Sequence, residues 1–361
     1  MGKKTLVSGN EAIGYGAIYA ECTHYFGYPI TPQNEVIEFF AREFPKIGRS
    51  FVQADSEVSS INMVGGAATT GVRTMTTTSS TAFSLMQEGL SAIAAMEVPC
   101  VVVDVQRGGP GAGSTQHAQM DYLLATRGSH GDYFNMVLAP FSVQETFEVI
   151  QLAFHMADKY RHPVLVLTDG IMGQMMESVD LKTVEFDPLP PKDWATTGSG
   201  ERGLKRNFLH NSPGILGFMT GDTYRSNLER TYAKYDKMKA TEVRYETKDL
   251  DDAEIILISY GSTARVTARA QYEARLEGLK VGIIRPITLW PFPGEVIRKY
   301  AEKVKSIIVV EDTMGQMVED VRCVVGERAE VHLVGFLDRH LPTSTGMILP
   351  DSVLNRIRDV A

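Results

Sequence analysis

A chain of 361 residues is long enough for two domains with separate cores. Its net charge of −8 argues against a nucleic-acid binder, which presents a basic face. Three scattered cysteines, Cys22, Cys100 and Cys323, form no CxxC pair, which argues against a disulfide framework, a structural zinc or an iron–sulfur cluster within this chain.

The basic start Met1-Gly-Lys-Lys is not followed by a signal-peptide core, and no apolar run is long enough to span a membrane. A cytoplasmic protein is expected. Ala12 to Cys22 carries helical spacing, and Asn34 to Phe44 reads as an amphipathic helix. Between them, Tyr28-Pro-Ile-Thr-Pro32 is a stiff, extended loop, because each proline disfavours helix at the residue before it. Phe51 to Ala54 is a short strand. Ser56 to Thr70 is a helix whose Val58, Ile61, Met63 and Val64 are expected to bury one face. Arg73 to Thr78 reads as a strand, Ser84 to Met96 as a helix, and Val98 to Val105 as a strand buried on both faces. The glycine-rich Arg107–Gly113 follows. Met136 to Ala139 is a strand, Ser142-Val-Gln-Glu145 has capping-box spacing and opens a helix to Tyr160, and Val164 to Thr168 is a strand. This alternation predicts a doubly wound α/β domain over residues 1–185.

Residues 186–250 read as a connecting segment, with connector-like stretches at Asp187–Lys192 and Thr196–Gly203 and a polar helix from Arg225 to Tyr245. Alternation resumes over residues 251–361, a second and smaller α/β domain. Its strands are expected near Glu254–Gly261, Val281–Ile284, Ile307–Val310 and Val331–Val334.

Three loops of the first domain bear chemistry: Tyr28–Pro32, Asp55–Glu57 and Arg107–Gly113. Loops that follow parallel strands converge on one edge of a sheet. They would bring together a hydroxyl (Thr31), a carboxylate (Glu57) and a guanidinium (Arg107), whose planar fork pairs with a carboxylate. Each has a plain alternative: a stiff connector, an acid that favours a helix N-terminus, a tight turn. Gly108-Gly-Pro-Gly-Ala-Gly113 lacks dinucleotide-fold GxGxxG spacing, and Walker A, GxSxG and HExxH motifs are absent.

Taken together, these stretches resemble the α subunit of 2-oxoacid:ferredoxin oxidoreductases. The resemblance is carried by Gly9-Asn-Glu-Ala12, Gly27-Tyr-Pro-Ile-Thr-Pro32, Gln53-Ala-Asp-Ser-Glu57, Asp104-Val-Gln-Arg-Gly-Gly-Pro110 and His130-Gly-Asp-Tyr133. It continues in Ser259-Tyr-Gly-Ser262 and Arg285-Pro-Ile-Thr-Leu-Trp-Pro-Phe-Pro293. Asp169-Gly-Ile-Met-Gly-Gln-Met-Met-Glu177 resembles the 2-oxoisovalerate (branched-chain) type.

The resemblance implies a thiamine-diphosphate pyrimidine-binding module followed by a transketolase C-terminal-like module. It implies a CoA-dependent oxidative decarboxylation of a 2-oxo acid that reduces ferredoxin. Glu57 matches the glutamate that hydrogen-bonds N1′ of the aminopyrimidine and so activates the thiazolium carbon. Pro29 and Ile30 are expected beside the cofactor. Thr31 and Arg107 match residues near the substrate carboxylate, and Gly108 and Gly109 leave room there. His130 lies in a matching motif and takes no assigned role. The Gly-Asp-Gly…Asn signature for diphosphate and Mg2+ is missing, and Thr168-Asp-Gly170 is only a look-alike. The diphosphate and Mg2+ are therefore expected on a β subunit. Iron–sulfur clusters are expected on ferredoxin-like or γ partner chains, with an external ferredoxin as acceptor. The same chemistry on 2-oxoglutarate, or a dehydrogenase component passing its acyl group to lipoamide, are the alternatives.

Overall fold

The computed structural model describes residues 4–196, 224–341 and 347–361. Residues 197–203 of the connector-like stretch lie outside the described residues. The chain opens with β1 (Thr5–Ser8), α1 (Gly9–Tyr19), β2 (His24–Gly27), α2 (Asn34–Glu43), β3 (Ser50–Gln53) and α3 (Glu57–Ala68). Next come β4 (Thr74–Thr78), α4 (Thr81–Leu85), α5 (Gln87–Met96), β5 (Cys100–Gly108), β6 (Ser114–His117) and α6 (Tyr122–Arg127). The first part ends with β7 (Met136–Leu138), α7 (Val143–Tyr160), β8 (Pro163–Asp169), α8 (Gly170–Gln174) and β9 (Met176–Val179).

Parallel pairing joins β7, β8, β5, β4, β2 and β3 in that spatial order. Helices cover the sheet, so its central strands are buried along their length. Cys22 and Cys100 lie in this core, and burial pushes both thiols up to about 12. All five residues of β4 are buried, and its threonines carry hydroxyls into the core. β1 and β9 form a separate antiparallel pair.

After helix α9 (Tyr224–Thr241), the chain forms β10 (Tyr245–Lys248), β11 (Ile255–Ile258), α10 (Thr263–Leu276), β12 (Val281–Pro286) and β13 (Thr288–Trp290). It ends with α11 (Gly294–Ala301), β14 (Ser306–Val310), α12 (Met317–Val325), β15 (Glu330–Val334) and α13 (Pro350–Val360). The second sheet runs β10-β12-β11-β14-β15, parallel except at β10. The two sheets interlock, because β13 pairs antiparallel with β7 at the end of the first sheet.

Several local expectations need correction. Val58 and Met63 are exposed: Glu57, Ser60, Ile61, Val64 and Ala68 make the buried face, and positions 58 and 63 fall opposite it. The strands β2, β6 and β13 are short and lie beside glycine or proline, so no periodic pattern announces them. The expected helix from Ser84 to Met96 is two helices that meet at Met86. At α7, Ser142 Oγ accepts from Glu145 N at 3.1 Å, but the Glu145 carboxylate takes Phe141 N at 2.7 Å instead of closing the box. The reciprocal capping box forms at α1, between Ser8 and Glu11.

The interface between the sheets is polar and buried. Arg285 reaches both oxygens of Glu145, at 3.0 and 2.8 Å, pairs with Glu246 at 2.9 Å and stacks on Phe141. Gln119 donates to Tyr260 O at 2.8 Å, and its side-chain oxygen accepts from Asp312 N at 3.0 Å. Tyr122 donates to Asp320 at 2.5 Å.

Candidate functional site

The parallel register decides where the loops go. β2 and β3 are neighbours, with Gly27 opposite Gln53, and β5 lies two places along from β2. The segments after β2, β3 and β5 therefore emerge at the same carboxyl edge. Thr31 and Glu57 lie on the first two, whereas Arg107 and Gly108, expected in the glycine-rich loop, are the last residues of β5 itself.

Glu57 is the first residue of α3. Ser56 caps that helix by accepting from Ser59 N at 3.1 Å, which fixes the turn out of β3. The helix end favours an anion at this position. Glu57 is 8% exposed, and no hydrogen bond or ion pair meets its carboxylate among the described residues. A carboxylate in a mostly buried side chain, with no partner of its own, is free to accept a bond from a ligand. Such a group can hold a proton on a heteroaromatic nitrogen.

Thr31 and Arg107 are brought together directly. Arg107 Nη1 donates to Thr31 O at 2.8 Å and Nη2 to Ala112 O at 3.1 Å, while its Nε is buried with no acceptor. Two of five guanidinium N–H groups are engaged this way, so the fork keeps free donors. The Tyr28–Pro32 loop, with exposed Pro29 and half-buried Ile30, is tied from below. Buried Asn10 donates to Pro32 O and to Glu35, each at 2.9 Å. Gln33 donates to Tyr28 O at 3.2 Å and accepts from Thr77 Oγ1 at 2.6 Å. Gly109 opens onto free space, whereas Gly108 backs onto Ser114. Gly113 has φ +59°, and a Cβ there would lie 1.8 Å from Gly108 O, so only glycine closes this loop.

Beneath Arg107 lies a buried polar cluster. Ser80 N donates to Asp104 Oδ1 at 2.8 Å, and Ser80 Oγ donates to Asp121. Ser80 Oγ in turn accepts from Arg107 N at 2.8 Å.

Comparison with known proteins decides the lineage. The family model for pyruvate flavodoxin/ferredoxin oxidoreductase, thiamine-diphosphate-binding, matches residues 15–244, and that for pyruvate:ferredoxin oxidoreductase core domain II matches 253–344. The ketoisovalerate oxidoreductase subunit VorB of Methanothermobacter thermautotrophicus is 44% identical over 99% of this chain and 97% of its own. This chain belongs to the 2-oxoacid:ferredoxin oxidoreductase family, as an α-type subunit.

Other members of the oxidoreductase family match closely. The 2-oxoglutarate synthase subunit KorA of Methanocaldococcus jannaschii is 39% identical, over 92% of this chain and 94% of its own. The solved 2-oxoglutarate:ferredoxin oxidoreductase from Magnetococcus marinus superposes with a TM-score of 0.84 at 29% identity, covering 99% of this chain and 65% of that chain. The fold is that of an oxidoreductase subunit whose first domain is of the thiamine-diphosphate-binding kind.

Two further singled-out residues of this oxidoreductase subunit make no hydrogen bond to Thr31 or Arg107 among the described residues. His130 sits exposed in the turn leading into the amino end of β7, and its Nδ1 lies 3.2 Å from Ser129 Oγ. Asp169 caps α8, accepting from Met172 N at 3.0 Å and from Ser262 N at 3.4 Å, so both its oxygens meet backbone amides. Gln33, Thr77, Ser80 and Asp121 were not singled out by sequence reasoning, and Asn10 and Asp104 entered only as parts of longer motifs, without a role. One faint signal existed: Asp104 interrupts the otherwise apolar run Val101–Val105, where a buried carboxyl group needs a reason.

Proposed function

We propose that this chain binds the aminopyrimidine end of thiamine diphosphate and the carboxylate of a 2-oxo acid. The enzyme it belongs to converts 2-oxoisovalerate and CoA to an acyl-CoA and CO2, and passes two electrons to ferredoxin. One observation carries the reading: a buried, unpartnered Glu57 lies at the same sheet edge as the Thr31–Arg107 contact.

Thiamine diphosphate, when bound, supplies the nucleophilic carbon and the sink for the electrons left by decarboxylation. The chain's own residues do the rest. Glu57 holds the proton at N1′ of the pyrimidine. Pro29 and Ile30 line the ring. Arg107 offers the remaining N–H groups of its two terminal nitrogens to the substrate carboxylate. Thr31 offers its hydroxyl beside the carbonyl. Gly109 leaves the space the substrate needs.

The diphosphate, Mg2+ and iron–sulfur clusters belong to partner subunits in this reading. Among the described residues nothing pairs with the outer side of the edge strand β3, and Val52 and Val58 are exposed beside Glu57, which suits a covering β subunit. No helix among the described residues is long and apolar enough to cross a membrane. The enzyme is placed in the cytoplasm on this reading.

Substrate choice rests on the 44% identity to ketoisovalerate oxidoreductase subunits, against 39% to a 2-oxoglutarate synthase subunit. The test is an assay of the purified complex with a viologen acceptor against 2-oxoisovalerate, pyruvate, 2-oxoglutarate and indolepyruvate. The highest kcat/KM is expected on 2-oxoisovalerate, with a requirement for CoA. A preference for 2-oxoglutarate would overturn the substrate assignment, and turnover independent of CoA would overturn the reaction.

A further inference from the structure

We infer that Ser80, Asp104 and Asp121 are positioning residues for Arg107. One proton held between the two buried carboxyl groups keeps Ser80 in place, and Ser80 sets the backbone from which the guanidinium reaches the substrate. The inference rests on the role given to Arg107 above.

Ser80 is the hinge. Its φ is +40° and its ψ −96°, a conformation side-chain-bearing residues rarely adopt. Two acids hold it there. Asp104 Oδ1, from the buried middle of β5, accepts from Ser80 N, and Asp121, at the start of α6, accepts from Ser80 Oγ. On its other side Ser80 Oγ takes the amide of Arg107 and lies 3.1 Å from its carbonyl oxygen. The clamp therefore grips the residue whose side chain carries the free fork. Gln106 completes it by accepting from Asp121 N at 3.1 Å.

The acids need a proton to sit together. Asp104 is 1% exposed and Asp121 8%, and Asp104 Oδ2 has no donor among the described residues. Two carboxylates in contact in a dry site do not both ionise; one proton serves the pair. Burial and the neighbouring Asp121 hold Asp104 well above the usual carboxylate range. Burial pushes Asp121 up to about 6, with the bond from Ser80 and the charge of Arg107 opposing. Among the described residues, the other titratable group facing them is Tyr260, whose hydroxyl is spent on Gln119 O at 3.2 Å and whose own proton burial holds in place. Losing the shared proton leaves two facing anions, pushes Ser80 aside and lets Arg107 move. Misplacement by ~1 Å can cost about a hundredfold in rate. The KM for the 2-oxo acid should therefore climb toward alkaline pH.

Three variants in the assembled complex test this, each read as KM and kcat for the 2-oxo acid from mildly acidic to alkaline pH. Arg107→Gln checks the underlying reading. Ser80→Gly relieves the backbone but removes the hydroxyl, so KM should rise about tenfold while the melting temperature does not fall. Asp121→Asn keeps the shape and supplies a permanent N–H to Asp104, so the alkaline rise in KM should disappear. If Arg107→Gln raises KM but Asp121→Asn retains the wild-type pH profile, or Ser80→Gly the wild-type KM, the clamp is wrong and the role of Arg107 stands. If Arg107→Gln leaves KM unchanged, the role of Arg107 fails and the clamp with it. Should Ser80→Gly not assemble, the isosteric Asp121→Asn decides alone.

Discussion

Replacing Arg107 by lysine keeps the charge and gives up the fork. The guanidinium spans two carbonyl oxygens, Thr31 O and Ala112 O, and still has N–H groups to offer, whereas an ammonium is a point donor on a flexible stem. We expect Arg107→Lys to raise KM for the 2-oxo acid about tenfold or more, with folding intact, as measured by steady-state kinetics on the complex. The position of Thr31, Glu57 and Arg107 near the carboxyl ends of strands was legible in the sequence, because each is a polar residue where an apolar run stops. Ser80 was not: nothing in Thr78-Ser-Ser-Thr81 announces a positive φ, and the strain is visible only once two acids from distant positions are seen to hold it. Asn10 was hidden for the same reason, since its partner Pro32 is distant in sequence.

Elements were legible where an apolar period ran long enough. Helices α2, α3 and α7 and strands β5, β8, β11 and β14 lie close to their expected places, because each presents a largely periodic or apolar run. Short strands pinned by tertiary pairing were not legible, β2 and β13 above all. Asn10 ties α1 to the Tyr28–Pro32 loop and to α2. Asn10→Leu removes the donors to Pro32 O and Glu35 and leaves both without that partner. We expect a loss of about 1–3 kcal/mol in denaturant unfolding, together with a higher KM from a loosened loop. A second element-scale contact answers to pH. His117 on β6 meets Asp312 at 3.0 Å, and that bond raises the imidazole pKa against the burial that opposes it. Its contribution is full below the unfolded value of about 6.5 and is lost as pH rises through the higher folded value. The wild-type melting temperature should therefore fall more steeply than that of His117→Asn as pH rises through that window.

At the scale of the whole molecule, the two sheets act as one support for the site. Arg285 is 4% exposed and joins α7 to the second sheet through Glu145 and Glu246. Arg285→Met would strand Glu145, and truncating one partner of a buried pair costs about 3–5 kcal/mol. Chemical denaturation should register that loss, and Glu145→Gln in the same chain should recover part of it. The sequence divided the chain into two α/β regions but did not reveal that β13 crosses into the first sheet, because three residues between prolines carry no period. The carboxyl edge remains half a site in this account: an acid, a fork and an open glycine face a space that a partner subunit completes. The central claim is that Glu57 activates the cofactor, and it is tested most directly by placing Glu57→Gln in the reconstituted complex. With assembly and melting temperature matching the wild type, 2-oxo-acid- and CoA-dependent viologen reduction should fall by about a hundredfold or more; an assembled complex that kept the full rate would contradict the account.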